Sequence, residues 1–414
     1  MNLGRKLNVL FFGDQWDDTW RRRQELAARL AEREEVGNVI YVELPLTITS
    51  LLGYLLGKAD RDAKKRWKRV LKRGLVARLD DVYVVTPISM LPRLSHRTLQ
   101  AANARIQVWI ERLLLWFLRA RLRDETLVFW ASHPSYTADL LGVYGEKLVC
   151  YDNSDHFSFI GPCLGASPPV MSVFVAGDRR LTDVSDLVFV NSELLYAEKR
   201  PVNPNTHLLL NAVRLDLFRD SLLQDQPVPP DIGSIRPPIL GYVGYVGETT
   251  DTTLLERILN DHPEWSVVII GGVDLEQPEV AGLRAFRNLH FLGEKPLSLL
   301  PLYIARFDVG LSLYEPCYLN DSRCSLKILN YLAMGKPVVA TDTAGAHFFA
   351  EVIHVAHDAE QFLRCLQEAL EHTGQADVTR RMEFVKDWTW ENRAKQILDQ
   401  MFDRLGEKNG SKRP

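Results

Sequence analysis

Short runs of apolar residues alternate along this chain with segments whose apolar residues recur at helical spacing. In the first half these runs predict strands at 9–12, 39–42, 82–85, 127–130, 148–151 and 187–190. Each run is apolar throughout, which is typical of strands in a parallel sheet that is covered by helices on both faces. The alternation of such strands with helical segments predicts the doubly wound α/β class.

A proline-rich stretch at 221–238 interrupts this rhythm and predicts a linker. Beyond it, further apolar runs predict a second α/β unit with strands at 239–243, 266–270, 289–292, 309–313 and 337–340. The chain of 414 residues is too long for one ordinary core. We therefore predict an N-terminal domain over 1–218, a C-terminal domain over 219–387 and a closing helical segment over 388–414.

The composition is that of a globular protein without a strong charge bias. Hydrophobic residues make up 46%, charged residues 25%, and the net charge of −3 gives no electrostatic reason to expect nucleic-acid binding. The cysteines are scattered without a CxxC pair, so the sequence favours neither a zinc site nor a disulfide framework. Because no apolar run is long enough for a signal peptide or a membrane span, we expect a cytoplasmic protein.

Two basic segments, 48–74 and 105–123, mix leucine and tryptophan with many cations. The first contains nine lysines and arginines against two aspartates. Amphipathic basic segments of this kind lie on anionic membrane surfaces, so we expect peripheral contact with the inner face of the plasma membrane. The alternative is a pair of solvated helices with ordinary buried faces.

The segment 321–341, DSRCSLKILNYLAMGKPVVAT, carries the strongest chemical signal. Asp321 or Ser322 is placed to cap a helix, on which Lys327 and Asn330 share one face. The free N–H groups at a helix N-terminus attract a diphosphate, and Lys327 adds a positive charge. Asn330, one turn further on, is placed to hydrogen-bond a ribose hydroxyl. The alternative is a core helix with two incidental polar residues.

Further candidates follow other predicted strands. The glycine-rich GYVGYVGE, 241–248, lets the backbone approach a phosphate, and Gly244 is our candidate for that contact. Tyr314 and Glu315 end a strand and are expected to flank the same ligand as Gly244 and Lys327. Asp155 and His156 follow the strand at 148–151, at the edge where parallel sheets place ligands. Either side chain there is suited to take a proton from an attacking hydroxyl, Asp155 first, although loop capping is the alternative.

Segment 321–341 resembles the donor-binding helix of glycosyltransferases with the GT-B fold, whose pattern is a Lys, two apolar residues, Glu-Tyr-Leu-Ala and a Gly before Pro-Val-Val. The similarity extends in the family's order over most of the chain, through the segments 191–192, 208–218, 241–248, 265–272, 288–314 and 388–390. Tyr318-Leu319-Asn320-Asp321-Ser322 before Lys327 is most similar to xanthan-type glucuronosyltransferases of bacterial polysaccharide assembly. In those enzymes the residue matching Asn330 is also an amide.

This resemblance implies two Rossmann-like domains that face each other across a cleft, with a C-terminal helix packed back on the N-terminal domain. It implies transfer of a sugar, hexosyl or glycuronosyl, from a nucleotide-sugar to a lipid-linked or polysaccharide-precursor hydroxyl, with UDP as the default nucleotide. The loop 13–24 would border the acceptor, so Asp14, Trp16 and Arg21 are the acceptor-binding candidates. The aspartate matching Asp155 is the base proposed in the glucuronosyltransferases.

GT-B enzymes usually stabilise the leaving diphosphate with helix dipoles and cations, so we expect no metal and no cofactor. The only DxD, Asp60-Arg61-Asp62, does not follow a predicted strand. The family's retaining GT-4 branch has glutamates where this chain has Ser322 and Asn330. We therefore expect an inverting reaction. The alternatives are a retaining GT-4-like transferase, a GT-B-like nucleotide-sugar epimerase and a non-catalytic nucleotide-sugar-binding protein.

Overall fold

The computed structural model describes residues 6–17, 20–89, 109, 126–158, 168–223, 227–274, 276–371 and 374–410. The chain divides into two compact units. The first takes in the chain up to Val190, then Tyr196–His207 and the chain from Ala394 onwards. The second takes in Asn191–Leu195 and Leu208–Arg393.

The first half of the chain contains strands β1 (Leu7–Phe12), β2 (Val36–Val42), β3 (Leu46–Thr47), β4 (Val76–Leu79), β5 (Val82–Val85), β6 (Ile88–Ser89), β7 (Thr126–Ala131), β8 (Leu148–Asn153), β9 (Leu187–Val190) and β10 (Thr206–Leu208). Eight of them form one sheet in the order β10-β9-β8-β7-β1-β2-β5-β4, and β3 pairs with β6. The strands from β9 to β5 in this order pair in parallel, whereas β4 is antiparallel to β5.

Helices connect these strands: α1 (Arg22–Ala31), α2 (Ile48–Leu55), α3 (Arg61–Arg73), α4 (Pro134–Thr137), α5 (Pro168–Val184) and α6 (Glu193–Lys199). The centre of the sheet is an aromatic stack. Phe11 of β1 stacks on Tyr41 of β2 and on Trp130 of β7, with ring centroids 5.4 and 5.1 Å apart. These rings are fully buried, which explains why every residue of β1 is apolar or, like Asn8, hydrogen-bonded to a neighbour.

The second unit is built on a parallel sheet with strands β11 (Ile239–Val243), β12 (Ser266–Ile270), β13 (Leu289–Phe291), β14 (Val309–Ser312), β15 (Val338–Thr341) and β16 (His354–Ala356). Their spatial order is β13-β12-β11-β14-β15-β16, and all pairs are parallel. Its helices are α7 (Leu215–Leu223), α8 (Pro230–Gly233), α9 (Thr252–Asp261), α10 (Pro278–Gly282), α11 (Leu300–Ile304), α12 (Tyr318–Asp321), α13 (Leu326–Ala333), α14 (Ala344–His347), α15 (Ala359–Glu371) and α16 (Gln375–Phe384). A final helix, α17 (Trp390–Gly410), closes the chain, and its Lys408 binds Asp186 in the first unit.

The predicted α/β class is confirmed, and each apolar run that we assigned as a strand is one. The runs that we missed are short or only half-buried: β3, β4, β6, β10 and β16. Such edge positions lack the continuous apolar signal of a central strand. The predicted linker at 221–238 is in part helical, because α7 extends to Leu223 and α8 begins at Pro230.

Two glycines in the second sheet let aromatic rings lie directly against the backbone. A Cβ at Gly241 of β11 would stand 2.0 Å from the ring of Phe307, and one at Gly310 of β14 would stand 2.4 Å from Tyr331. Both rings are buried in the core that α13 forms with this face of the sheet. These glycines are therefore required by close contact, whatever their backbone angles.

We expect Gly241→Ala to lower the free energy of unfolding by about 1–3 kcal/mol, the usual effect of overfilling a packed core. Urea unfolding followed by circular dichroism measures this change. Gly406→Ala is the matched control, because Gly406 lies within α17 and a Cβ there meets nothing within 4 Å. That control should be neutral or slightly stabilising. Equal urea midpoints for the two variants would contradict the predicted clash.

Candidate functional site

In the second unit, the loop that follows β11 brings Gly244 next to Lys327. Gly244 has φ +149°, a conformation that residues with a Cβ rarely adopt, and its N–H donates to the carbonyl of Ile270 over 2.9 Å. A Cβ at Gly244 would stand 3.2 Å from the Lys327 ammonium nitrogen. Gly271 supports this loop, since a Cβ there would stand 2.0 Å from the Gly244 carbonyl oxygen. The two glycines therefore let this loop lie directly against the lysine.

Lys327 is a buried cation that is held by aromatic rings. Only 7% of the residue is exposed, and its Nζ lies 3.8 Å from the ring centroid of Tyr242 and 4.2 Å from that of Tyr314. Across the parts of the chain that the structure describes, no carboxylate forms an ion pair with it. Burial acts to lower the pKa of Lys327, but the two tyrosines outweigh it and raise that pKa, so the ammonium stays charged.

The helix that carries Lys327 begins at Leu326, with Ser325 as its N-cap residue. Our prediction that it begins at Asp321 or Ser322 is wrong, because α12 occupies that position and ends there. The buried Ser322 hydroxyl donates to the carbonyl of Leu319 over 2.7 Å, and Asp321 accepts from the N–H of Ala344. The later start places Lys327 in the first turn of α13, where the positive end of the helix dipole is strongest.

The remaining donor candidates lie on the same edge of the sheet. Tyr314 is fixed through Thr341, whose hydroxyl accepts from its N–H over 3.0 Å and donates to its carbonyl over 2.6 Å. Burial acts to raise the pKa of Tyr314, but the neighbouring cations, Lys327 before Arg323, lower it overall. Glu315 is exposed, and Asn330 is half-buried one turn beyond Lys327. Tyr242 is the residue that sequence reasoning missed, because nothing in a strand sequence shows that its ring lies under a lysine.

In the first unit, the acceptor candidate Asp14 and the base candidate Asp155 both act electrostatically on Arg23. Arg23 forms an ion pair with Asp14 and donates to the carbonyl of Ser132 over 3.0 Å. Burial acts to lower the pKa of Arg23, but Asp14 and then Asp155 raise it, which places the Asp155 carboxylate in its electrostatic reach. Burial likewise acts to raise the pKa of Asp14, and Arg23 lowers it overall. The structure therefore brings Asp14 and Asp155 to one cationic centre.

Asp152, the next-to-last residue of β8, has a different environment. It is fully buried and accepts from Arg22 through Nε at 3.0 Å and through a terminal nitrogen at 2.8 Å. This paired carboxylate ties α1 to β8. Asp155 is instead half-buried, and the hydroxyl of Ser154 donates to it over 3.3 Å. Of the two carboxylates, Asp155 is the more exposed.

His156 belongs to a hydrogen-bonded chain. Its Nε2 lies 2.8 Å from Glu198, and the hydrogen bond from His156 is the main reason why the pKa of Glu198 falls to about 2. Glu198 also pairs with Lys199, which binds Asp178 over 2.5 Å. Asp178 in turn accepts from the hydroxyl of Tyr151. The ring of His156 is therefore oriented by a carboxylate that remains ionised over the physiological pH range.

The other two acceptor candidates differ in exposure. Trp16 is buried, with its ring edge-on to Tyr41 and Trp20 at centroid distances of 4.9 and 5.3 Å. Its N–H donates to Glu43 over 2.6 Å, so Trp16 anchors the loop through its backbone as well as its ring. Arg21 is exposed and is the N-cap residue of α1.

The basic segment 48–74 folds as α2 and α3, and its lysines and arginines differ in their surroundings. Three arginines turn inward: Arg66 donates to the carbonyl of Leu44, Arg69 to Gln15 and Arg73 to Glu43. The lysines are all exposed: Lys58, Lys64, Lys65, Lys68 and Lys72. Exposed leucines accompany them, with Leu55 and Leu56 at 69% and 70% exposure and Leu52 and Leu71 at 54% and 64%. We call these nine residues the lysine–leucine face.

The predicted DxD residues have local partners. Asp60 caps α3 by accepting from the N–H of Ala63 over 2.7 Å, and Asp62 accepts from Gln15 over 3.0 Å. The second basic segment, 105–123, lies outside the described residues apart from Trp109. Among the helices that the structure describes, none is both long enough and apolar enough to cross a bilayer.

Comparison with known proteins relates this geometry to a family. Residues 239–372, which contain the sheet of the second unit and Lys327, match the family described as glycosyl transferases group 1. Over 409 residues the chain is 22% identical to a Bacillus subtilis (strain 168) protein whose name assigns it to teichuronic acid biosynthesis as the glycosyltransferase TuaH. That alignment covers 92% of this chain and 94% of the relative.

Solved structures share the fold over nearly the whole chain. The α,α-trehalose 6-phosphate synthase of Burkholderia multivorans superposes with a TM-score of 0.65 at 14% identity, covering 99% of this chain and 98% of that one. Sucrose-phosphate synthase of Thermosynechococcus elongatus gives 0.63 at 15% identity, covering 98% and 100%. Anabaena Alr3699/HepE, solved with UDP and glucose, gives 0.61 at 14% identity, covering 96% and 99%.

At these identities the structural matches show the fold alone, while the sequence match of the second unit adds the enzyme class. The chain is a glycosyltransferase with the GT-B fold, and its second unit carries a group 1 glycosyl transferase domain.

Proposed function

We propose that this enzyme transfers a sugar from a UDP-sugar, bound by the second unit, to a hydroxyl of a lipid-linked or polysaccharide-precursor acceptor, with inversion and without a metal ion. The observation that carries the donor part is the buried Lys327, which has no carboxylate partner among the described residues and lies in the first turn of α13. The pKa of this ammonium is raised, so it stays charged, and no carboxylate among the described residues acts as its counter-charge. An incoming diphosphate would supply that counter-charge.

The surroundings of Lys327 support a phosphate rather than a carboxylate side chain as its partner. The first N–H groups of α13 lack intrahelical acceptors and add to the positive potential of the ammonium. Gly244 has no Cβ, so its backbone can approach a phosphate beside Nζ more closely than any other residue could. The choice of UDP is supported by the structural relatives, since the HepE structure holds UDP and a related trehalose-phosphate synthase is named as UDP-forming. Asn330 and Glu315 remain our candidates for the ribose and the sugar.

On the acceptor side we propose that Asp155 takes the proton from the attacking hydroxyl. Its carboxylate is half-buried just beyond the end of β8, within electrostatic reach of Arg23. His156, oriented by Glu198, is the second candidate base. Positions 322 and 330 hold Ser and Asn, so they offer no carboxylate for a retaining mechanism of the GT-4 kind. The cationic start of α13 would stabilise the leaving diphosphate, a role that metal ions fill in other transferases.

The acceptor class rests on the relative from Bacillus subtilis, whose name refers to teichuronic acid biosynthesis. Such a role would place the enzyme in polysaccharide assembly. The experiment that tests the proposed function is incubation with UDP-sugars and a panel of lipid-linked oligosaccharides, followed by mass spectrometry of the product and anomeric analysis by NMR. Sugar addition with inversion supports it. Conversion of the UDP-sugar in the absence of acceptor would show an epimerase instead.

We also propose that the lysine–leucine face contacts an anionic membrane. This segment carries five exposed lysines and four exposed leucines, while Arg66, Arg69 and Arg73 of α3 donate hydrogen bonds within the first unit. Each lysine near an anionic surface contributes about 1 kcal/mol, and buried leucines add to this. A membrane position would bring the enzyme to a lipid-linked acceptor.

We expect replacement of the five lysines of this face by serine to weaken binding to vesicles containing anionic phospholipid by at least about 100-fold. Flotation with phosphatidylglycerol-containing liposomes measures the change. The matched control replaces five exposed arginines of the second unit with glutamine: Arg236, Arg257, Arg284, Arg287 and Arg364. Equal flotation of both variants and the unchanged protein would contradict the assignment of this face.

A further inference from the structure

The second unit brings three metal-ligating side chains together outside the donor region. His354 is the first residue of the edge strand β16, and Cys365 and Glu368 lie on α15, which packs against that strand. The His354 Nδ1 and a Glu368 carboxylate oxygen are 4.0 Å apart. These two atoms and the Cys365 Sγ all lie within 4.8 Å of one another.

The three side chains differ in how far they can adjust. Cys365 and Glu368 are three residues apart and share one face of α15, and Cys365 is buried at the junction with the sheet. His354 and Glu368 are exposed at their tips. A tetrahedral cation requires ligand atoms about 3.3–3.8 Å apart, given bonds of about 2.0–2.3 Å. Small rotations of the two exposed side chains towards the fixed sulfur are sufficient to reach that spacing.

The ligand set selects the kind of cation. Imidazole, thiolate and carboxylate together suit Zn²⁺ and Co²⁺, whereas Mg²⁺ and Ca²⁺ prefer oxygen ligands. His354 and Glu368 also line a groove of about 530 Å³ that is open to solvent, so water can provide the fourth ligand. The other charged groups lining the groove are two carboxylates and two guanidiniums: Glu351, Asp377, Arg380 and Arg381. These four groups carry no net charge together, so we expect the affinity for the cation to be set by His354, Cys365 and Glu368.

We propose that His354, Cys365 and Glu368 form a binding site for Zn²⁺ or a similar divalent transition-metal ion. The ion ties the edge strand β16 to α15. Its role is structural, because His354 starts its parallel strand and lies opposite Val339, at the end of the sheet away from Gly244 and Tyr314. An edge strand of three residues has little pairing of its own, so a metal bond to the adjacent helix would stabilise it. The proposal does not depend on the transferase reaction.

Titration of the metal-free protein with Co²⁺ tests this site directly. We expect a thiolate-to-cobalt charge-transfer band in the near ultraviolet. Cobalt sites without a thiolate ligand do not give this band. Cys365→Ser should abolish the band, and Glu368→Gln should weaken Co²⁺ binding by at least about tenfold. The control is Cys317→Ser, because Cys317 is an exposed free thiol elsewhere in the same unit. It should leave the band unchanged.

A second measurement keeps the proposal testable if Cys365→Ser folds poorly. Zn²⁺ should raise the melting temperature of the unchanged protein and of Cys317→Ser, but not that of His354→Gln, whose imidazole is half-exposed. Absence of a charge-transfer band at saturating Co²⁺ would overturn the proposal. A band that survives Cys365→Ser or disappears in Cys317→Ser would overturn it equally.

Discussion

Lys327→Met is expected to weaken the binding of UDP and of UDP-sugars by about 30- to 1,000-fold, while the folded protein becomes no less stable. The loss corresponds to about 2–4 kcal/mol, the usual contribution of a buried charged hydrogen-bond donor to an anionic ligand. The stability part follows from packing: methionine has a similar volume, and its sulfur can contact the rings of Tyr242 and Tyr314 in place of the ammonium. Isothermal titration calorimetry and thermal unfolding measure the two quantities.

A loss of UDP affinity without a loss of stability distinguishes a lysine that binds the ligand from one that only supports the fold. A lysine that served mainly to hold Tyr242 and Tyr314 together would lower the melting temperature when replaced, through loss of the cation–π contacts. Lys336→Met is the matched control, since Lys336 follows the same helix and donates to the carbonyl of Ala305 over 2.7 Å. UDP affinity should be unchanged in that variant. A Lys327→Met protein that binds UDP normally would contradict the donor assignment.

The second large effect is expected at Asp155. Asp155→Asn should lower kcat by about 100- to 10,000-fold, the range that general-base catalysis contributes, with UDP affinity unchanged. The substitution keeps the shape of the side chain and removes its ability to accept a proton. Single-turnover transfer from a UDP-sugar to the acceptor measures the rate, and calorimetry measures the affinity.

His156→Gln is the comparison that assigns the base. If Asp155 is the base, His156→Gln retains most of the activity, because His156 is engaged by Glu198 within the first unit. If instead His156→Gln loses activity and Asp155→Asn does not, the base is His156. Full activity of both variants would contradict base catalysis from this loop and would favour a retaining mechanism. A binding protein without transferase activity would be indifferent to either change in every assay.

The fold was predictable because its central strands are buried on both sides. The sequence of β1 is almost wholly apolar, and so are the sequences of β5, β9, β12 and β15, which therefore stand out as continuous runs. The edge strands β4 and β16 were not predictable in this way. Most of their residues are at least partly exposed, so local hydrophobicity does not distinguish them from loops.

Residues of the site could be predicted only where a sequence motif coincides with the end of a strand or the start of a helix. Lys327 and Gly244 could be chosen from the sequence because each follows a strand or begins a helix, and the structure brings them together. The start of α13 was misplaced, since Asp321 and Ser322 are good capping residues that the short α12 uses differently. Contacts between distant segments, such as Tyr242 with Lys327 or Arg23 with Ser132, depend on the folded sheet and leave no local sequence signal.

A crystal structure of the protein with UDP at saturating concentration tests the donor site most directly. We predict that the diphosphate lies against the first turn of α13, with a phosphate oxygen within hydrogen-bonding distance of Lys327 Nζ, beside Gly244. A nucleotide bound elsewhere, with Lys327 still enclosed by Tyr242 and Tyr314, would contradict the function proposed for this pocket.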